Sequence, residues 1–210
     1  MSKKLIIFPF NGNGLEALDA VGEPYEFIGF VDDTPAKQGK QPQGFEVFSR
    51  ELIQRYPEAH VVALPGSPDT YLQRRQIIAS LQIAPQRFAS LVHPKATLSG
   101  YASIGYNSVL MAGVVVTSNA RIGNHVCILP NSVIHHDTLI GQYTLIGSQV
   151  VVAGHTSIGE NCYIGSGSQV MHHIRVGEGA LIGLGSTILK EVPPYAKMVG
   201  NPARNLNQPS

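Results

Sequence analysis

Aliphatic residues occupy every sixth position from Val92 to Ile188 without interruption, from Val92, Leu98 and Ile104 through Ile140 and Val176 to Ile182 and Ile188. A fixed short period over this length specifies a solenoid and constrains the fold more than any local propensity does. Six fits neither the 3.6-residue helix nor the two-residue strand. It fits a short strand and a corner, repeated. The fifth position of each unit is small or β-branched, as in Ala120, Ser132, Thr144 and Cys162. Wide and narrow residues therefore alternate toward an interior. Between Ala96 and Leu189 the only charges are Arg121, Asp137, Glu160, Arg175 and Glu178, which suits flat stacked strands.

A second period sets the cross-section. Gly105, Gly123, Gly141, Gly159 and Gly177 recur every eighteen residues. Eighteen is three hexapeptides, so each coil has three sides, giving a triangular prism of between five and six coils. Glycine at these corners answers either an unusual φ or a close backbone approach. The chain at this point resembles the hexapeptide-repeat family of left-handed parallel β-helix acyltransferases. The left hand is what the resemblance implies; the general rule for parallel crossovers favours the right.

Before Val92 the period vanishes. Lys4–Phe8, Glu26–Val31 and His60–Leu64 read as buried strands, and 48–55 and 70–81 as helices. Phe88–Val92 reads as a last strand feeding the solenoid. Strands alternating with helices imply a small parallel α/β unit. The expected division is residues 1–90 as a Rossmann-like substrate-binding domain and 91–210 as the β-helix with its C-terminal tail. Ligands of such sheets bind beyond the carboxyl ends of the strands. Those ends are Asn11 to Gly14, Asp32-Asp33 and Pro65 to Ser67. Gly12 and Gly14 would let N–H groups approach a phosphate, Asp32 and Asp33 would meet a ribose or base, and Gly66 and Ser67 complete the crevice. Tight-turn glycines and a solvated acidic loop are the plainer alternatives.

Net charge is +1, which gives no argument for nucleic acid or an anionic membrane as partner. No apolar run reaches spanning length, and the start lacks a signal-peptide pattern, so a reducing cytoplasm is expected. The two cysteines, Cys127 and Cys162, take different repeat positions and suggest no disulfide framework. Cys162 reads as a small core residue sooner than as a nucleophile.

Five of the eight histidines fall in 135–173, at His135, His136, His155, His172 and His173. Indexed on the repeat, Asp137, His155 and His173 form one column at a corner, and His136, Gly154 and His172 form the adjacent column. Both project outward, about 5 Å apart along the coil rise. Three readings stand: a polar corner of a non-catalytic solenoid, a zinc site as in the related γ-class carbonic anhydrases, or general-base catalysis. The last is preferred, because His136-Asp137 supplies an imidazole with an orienting carboxylate and the Gly154 N–H an oxyanion donor.

The layout is similar to the sugar acetyltransferase subgroup, the nucleotide-aminosugar N-acetyltransferases and sialic acid O-acetyltransferase relatives, and the likeness covers nearly the whole chain. Ile134 to Gly141 resembles the subgroup's catalytic segment, Ala153-Gly154 its thioester-facing turn, and Val199 to Arg204 its ending near the CoA tail. The resemblance implies His136 as base, Asp137 as its partner, and acetyl-CoA held by His155, Ser166, Gly183, Gly185, Asn201, Pro202 and Arg204. It implies a homotrimer acting without metal on a nucleotide-linked deoxyaminosugar, with O-acetylation of a sugar hydroxyl as the alternative. Three positions depart from it: Asn13 stands where relatives usually carry His, Leu145 where they often carry His, and Leu129 where they often carry Asn.

Overall fold

The computed structural model describes residues 2–207. Near the N-terminus, β1 (Lys3–Phe8), β2 (Tyr25–Val31), β3 (Gly39–Lys40), β4 (Glu46–Phe48) and β5 (His60–Ala63) form one sheet in the order β3-β4-β2-β1-β5. Every pairing is parallel except β3 with β4. The helices are α1 (Gly12–Ala17), α2 (Glu51–Arg55) and α3 (Arg74–Ala79). The helix expected over 48–55 is shorter. Val47 and Phe48 pair with Phe30 and Val31, so tertiary pairing claims the first residues and the helix starts at Glu51. The strand expected over Phe88–Val92 divides: Phe88 bridges Val61 in the sheet, and Leu91–Val92 is the first strand of the solenoid.

From Leu91 the chain winds as two-residue strands, each pairing in parallel with the strand eighteen residues on, as Val133 with Val151. Three sheets result, the sides of a left-handed β-helical prism. The first side carries Val109, Cys127, Leu145 and Tyr163; the second Val115, Val133 and Val151; the third Arg121, Leu139 and Arg175. The last residue of each strand is the six-period aliphatic and fills the interior, with Ile128, Ile134 and Ile146 at most 1 % exposed. The buried hydroxyls of the narrow slot are satisfied across the coil: Ser132 Oγ donates to Gly147 O at 2.7 Å and Thr144 Oγ1 to Gly159 O at 2.9 Å. Both cysteines are buried, and burial pushes each thiol up to about 11.

Of the two reasons for the eighteen-residue glycine column, close approach holds. A Cβ on Gly141 would lie 2.4 Å from the Gly159 carbonyl carbon, and one on Gly177 2.4 Å from Pro194 N. Positive φ falls instead three residues past most of the aliphatics, at Asn107, Asn119, His125, Asn131, Asp137, His155 and His173 among others. Asn, Asp and His are the non-glycine residues enriched in that region.

The N-terminal sheet and its helices cover the first side, which is why Val109, Cys127 and Leu145 are buried there. The seam is polar at its centre. The Asn107 amide accepts from Ala63 N at 2.7 Å and donates to Ala63 O at 2.9 Å, extending β5 as a strand would. Arg74 is fully buried and donates to Pro65 O and, at 2.7 Å, to His125 O. Burial pushes its guanidinium down to about 10. His125 packs among Phe88, Tyr106 and Tyr143, and burial, then Arg74, pushes its imidazole down to about 4. Among the described residues no helix is long and apolar enough to cross a membrane.

Gly141→Ala is expected to destabilise the prism by about 1–3 kcal/mol through forced overpacking. Gly100→Ala is the control, since a Cβ there meets nothing within 4 Å. Thermal melts of the two variants should separate clearly; equal melting temperatures would refute the close-approach account.

Candidate active site

The histidine corner lies between the second and third sides. The chain leaves the strand Val133–Ile134, turns through His135, His136 and Asp137, and enters the strand Leu139–Ile140. His136 Nδ1 and Asp137 Oδ2 are 2.7 Å apart. A carboxylate only accepts, so Nδ1 carries the proton and Nε2 is left as the free base. Asn119, one coil below, donates to Asp137 Oδ1 at 3.1 Å. These two hydrogen bonds, that of His136 first, hold the Asp137 carboxyl below the usual carboxylate range. His155, one coil above, brings Nε2 to 3.9 Å from Asp137 Oδ2. Its ring stands edge-on to His136 at 5.1 Å and stacks on His173 at 4.8 Å.

Not all of these residue types carry the same information. Asp137, His155 and His173 occupy the positive-φ column, where the backbone itself favours Asp and His. His136 lies outside that column, so nothing in the backbone asks for it. Gly154 explains how it fits. A Cβ on Gly154 would come within 2.7 Å of His136 Cε1 and 2.8 Å of Nε2. The imidazole lies directly against that glycine, and the Gly154 N–H enters no backbone hydrogen bond among the described residues. A proton acceptor and an N–H donor thus stand side by side on adjacent coils.

The same cluster is the one a zinc ion would use. Ligand atoms of His136, Asp137 and His155 lie within 4.8 Å of one another. Two ligands on a tetrahedral zinc with bonds of about 2.0–2.1 Å stand roughly 3.3 Å apart. The 2.7 Å between Nδ1 and Oδ2 is instead the length of a charge-assisted hydrogen bond. The geometry fits an orienting pair better than a metal centre.

A second site lies across the prism. A pocket of about 220 Å³ opens between the N-terminal unit and the first side, lined by Asn13, Gly66 and Ser67 and by Leu129, Leu145 and Tyr163. Gly66 has φ +120°, and a Cβ on it would lie 2.9 Å from Leu145 Cδ1, so the loop after β5 needs glycine twice over. All three departures from the sugar acetyltransferase pattern, Asn13, Leu129 and Leu145, meet in this pocket. Sequence separation hid that convergence.

The remaining expected site residues divide. Gly12 and Gly14 fall in α1, where Asn11 caps the helix by accepting from Gly14 N at 2.7 Å. Asp32 and Asp33 do not line the pocket. Asp32 is 3 % exposed and accepts from Phe10 N, Thr34 N and Lys37 Nζ. Asp33 is held bidentate by Arg50, at 2.6 and 2.7 Å. The Asp32 carboxylate is thus an internal tie, whereas Asp33, though paired with Arg50, stays exposed at the strand end. Ser166, Gly183, Gly185 and the Asn201-Pro202 to Arg204 segment follow the corner between the first and second sides, the same corner as Leu129, toward the C-terminal end. His155 is apart from them, at the histidine corner. The two groups of residues border the second side from its opposite edges.

A bacterial transferase hexapeptide model of six repeats matches residues 119–154 and again 155–190. The matched stretches lie wholly within the prism, whose repeat is therefore similar to that of the hexapeptide transferases. The architecture as a whole, α/β unit included, is that of the acetyltransferase domain of PglB from Neisseria gonorrhoeae FA1090, solved in complex with acetyl coenzyme A. That structure is 29 % identical, with a TM-score of 0.85 over 98 % of this chain and 100 % of that one. PerB from Caulobacter crescentus, in complex with CoA and GDP-perosamine, shares the fold at 22 % identity and a TM-score of 0.81, over 98 % and 97 % of the two chains. WeeI from Acinetobacter baumannii AYE does so at 23 % and 0.81, over 98 % and 100 %. No curated protein sequence matches the chain.

Because Asp137 is held low, any stability that it contributes is present above the carboxylate's unfolded pKa and is lost only as pH falls through the folded value. The His136–Asp137 pair is therefore intact across the neutral range. Asn119→Ala should raise the Asp137 pKa toward the ordinary carboxylate range, read by carboxyl ¹³C titration. An unchanged midpoint would show that Asn119 takes no part.

Proposed function

We propose that the protein transfers the acetyl group of acetyl-CoA to the amino group of a nucleotide-linked deoxyaminosugar. One observation carries the reading: the free Nε2 of His136, oriented by Asp137, lies against Gly154, whose N–H is free for an oxyanion. The amine attacks the thioester carbonyl carbon and forms the C–N bond. His136 Nε2 takes the amine proton, and Asp137 stabilises the resulting imidazolium. The Gly154 N–H holds the tetrahedral oxygen. Collapse breaks the C–S bond and releases CoA thiolate. Neither thiol serves as a nucleophile, since both are buried and pushed up to about 11. No metal takes part in these steps. The 29 % identical PglB domain, which was solved with acetyl coenzyme A, supports the donor assignment.

The N-terminal unit, residues 1–90, holds the sugar nucleotide, and 91–210 carries the chemistry. Within one chain the pocket and the histidine corner are separated by the second side. That side spans six residues, at most about 20 Å at about 3.3 Å per residue. Its outward residues Thr97, Val115, Val133, Val151, Gln169 and Thr187 carry no charge, whereas the third side bears Arg121 and Arg175, and the N-terminal unit covers the first. The second side is thus the one suited to meet another prism. A homotrimer packed through it sets His136 of one protomer beside the pocket corner of the next. CoA then runs in the groove between them, past His155, Ser166, Gly183, Gly185, Asn201, Pro202 and Arg204. Acetyl-CoA and nucleotide sugars as substrates assign the enzyme to the cytoplasm.

His136→Ala should lower kcat by about 10²–10⁴-fold with acetyl-CoA binding intact, and His135→Ala far less. Free-thiol release with nucleotide-linked aminosugars measures both; equal impairment would refute the assignment of the base. Sedimentation at micromolar concentration should give a trimer, and a monomer would remove the intersubunit groove.

A further inference from the structure

Arg74 is a cation kept where the fold gives it no anion. It is 0 % exposed. Its guanidinium donates to the carbonyls of Pro65 and, at 2.7 Å, His125, while its Nε is buried without a partner. Among the described residues no carboxylate forms an ion pair with it. Burial lowers the group only to about 10, so it stays charged at neutral pH.

A buried charge answered by neutral carbonyls alone is expensive. Well-packed apolar side chains in place of buried ions are often neutral or stabilising. Removing this one would also leave two carbonyls unpaired, which opposes that gain. Stability alone therefore gives little reason to keep an arginine here.

What the two bonds join gives a better one. Pro65 opens the loop after β5, and His125 stands on the prism corner between the third and first sides. Ala63, at the end of β5, is tied to the same corner through Asn107, whose Nδ2 lies 2.8 Å from His125 Nδ1. Ala63, Asn107, His125, Arg74 and Pro65 thus close a ring of contacts. Beyond it, Ser67 is held within its own loop, by Thr70 Oγ1 at 3.0 and 3.1 Å. A planar guanidinium addresses two fixed carbonyls at once; an ammonium is a point charge without that fork.

We infer that Arg74 is a positioning residue: it clasps the 65–67 loop to one coil of the prism and so sets where the N-terminal unit presents the acceptor, without touching the acceptor itself. What the loop presents rests on the proposed acetyl transfer; the clasp does not.

The test compares Arg74→Met and Arg74→Lys with the wild type, using UDP-, GDP- and dTDP-linked aminosugars. Methionine fills irregular gaps, and its variant should melt within about 5 °C of the wild type. Its kcat/KM for the acceptor should nevertheless fall about 10²-fold, the scale of a misplacement remote from the chemistry, with KM for acetyl-CoA unchanged. Arg74→Lys keeps the charge and loses the fork, so it should remain impaired at least about 10-fold. Calorimetry without acetyl-CoA, on conjugates carrying a hydroxyl in place of the reacting amine, should show weaker binding to both variants. Weaker binding in both, with no thiol release even by the wild type, would keep the clasp and refute acetyl transfer. Wild-type acceptor kinetics in Arg74→Met, full rescue by lysine, or an equal rise in KM for acetyl-CoA would overturn the inference. So would no binding of any conjugate by the wild type, or a larger fall in melting temperature, which would make the role structural.

Discussion

The spacing of one coil from the next governs what every side chain on this prism can do. Hydrogen bonds such as Val133 N to Val150 O at 2.8 Å and His135 N to Val152 O at 3.0 Å lock the coils together. The strand separation is then about 4.8 Å everywhere. Where backbones approach too closely for a Cβ, glycine follows, as at Gly141. Where a ring must lie on the next coil, glycine follows again, as at Gly154 against His136. The flat stacking of His155 on His173 at 4.8 Å is the same spacing expressed in side chains. The histidine corner is thus a product of the ladder and not an addition to it.

The N-terminal unit is bound to this ladder through polar contacts that only a buried seam makes worthwhile. Asn107 uses one amide to satisfy both backbone groups of Ala63, and it can do so because its own positive φ turns the side chain off the prism corner. Arg74 fixes Pro65, which directly precedes the Gly66-Ser67 wall of the pocket. His125 stays neutral among aromatic rings with Arg74 nearby. The pocket wall and the prism corner thus share one joint, so the position of the pocket relative to the coils is set by folding.

Much of this was readable from residues alone, for reasons that the structure makes physical. The six- and eighteen-residue periods survive because each coil repeats the same steric problem. The pairing of His136 with Asp137 and the proximity of Gly154 follow from indexing that repeat. What escaped were uses decided by distant partners. Asp32 sits at a strand end where its ties to Phe10, Thr34 and Lys37 cannot be read from the sequence. Phe48 carries no strand period of its own; only its pairing with Val31 of β2 draws it out of the helix expected over 48–55. Leu129 and Leu145 looked like isolated departures until the fold brought them to Asn13, far away in the chain.

The positive-φ column has a bearing on how such enzymes change. Asn119, Asp137, His155 and His173 are each acceptable to the backbone because the corner itself tolerates them. A histidine or aspartate can therefore be acquired there, or lost, at little cost to the fold. A neighbour such as His136 gains a partner only when the matching glycine appears one coil above. A polar corner on a prism of this kind is portable along its axis: Gly154→His, His155→Asp and His172→Gly together would rebuild the His136, Asp137 and Gly154 arrangement one coil higher on the same scaffold.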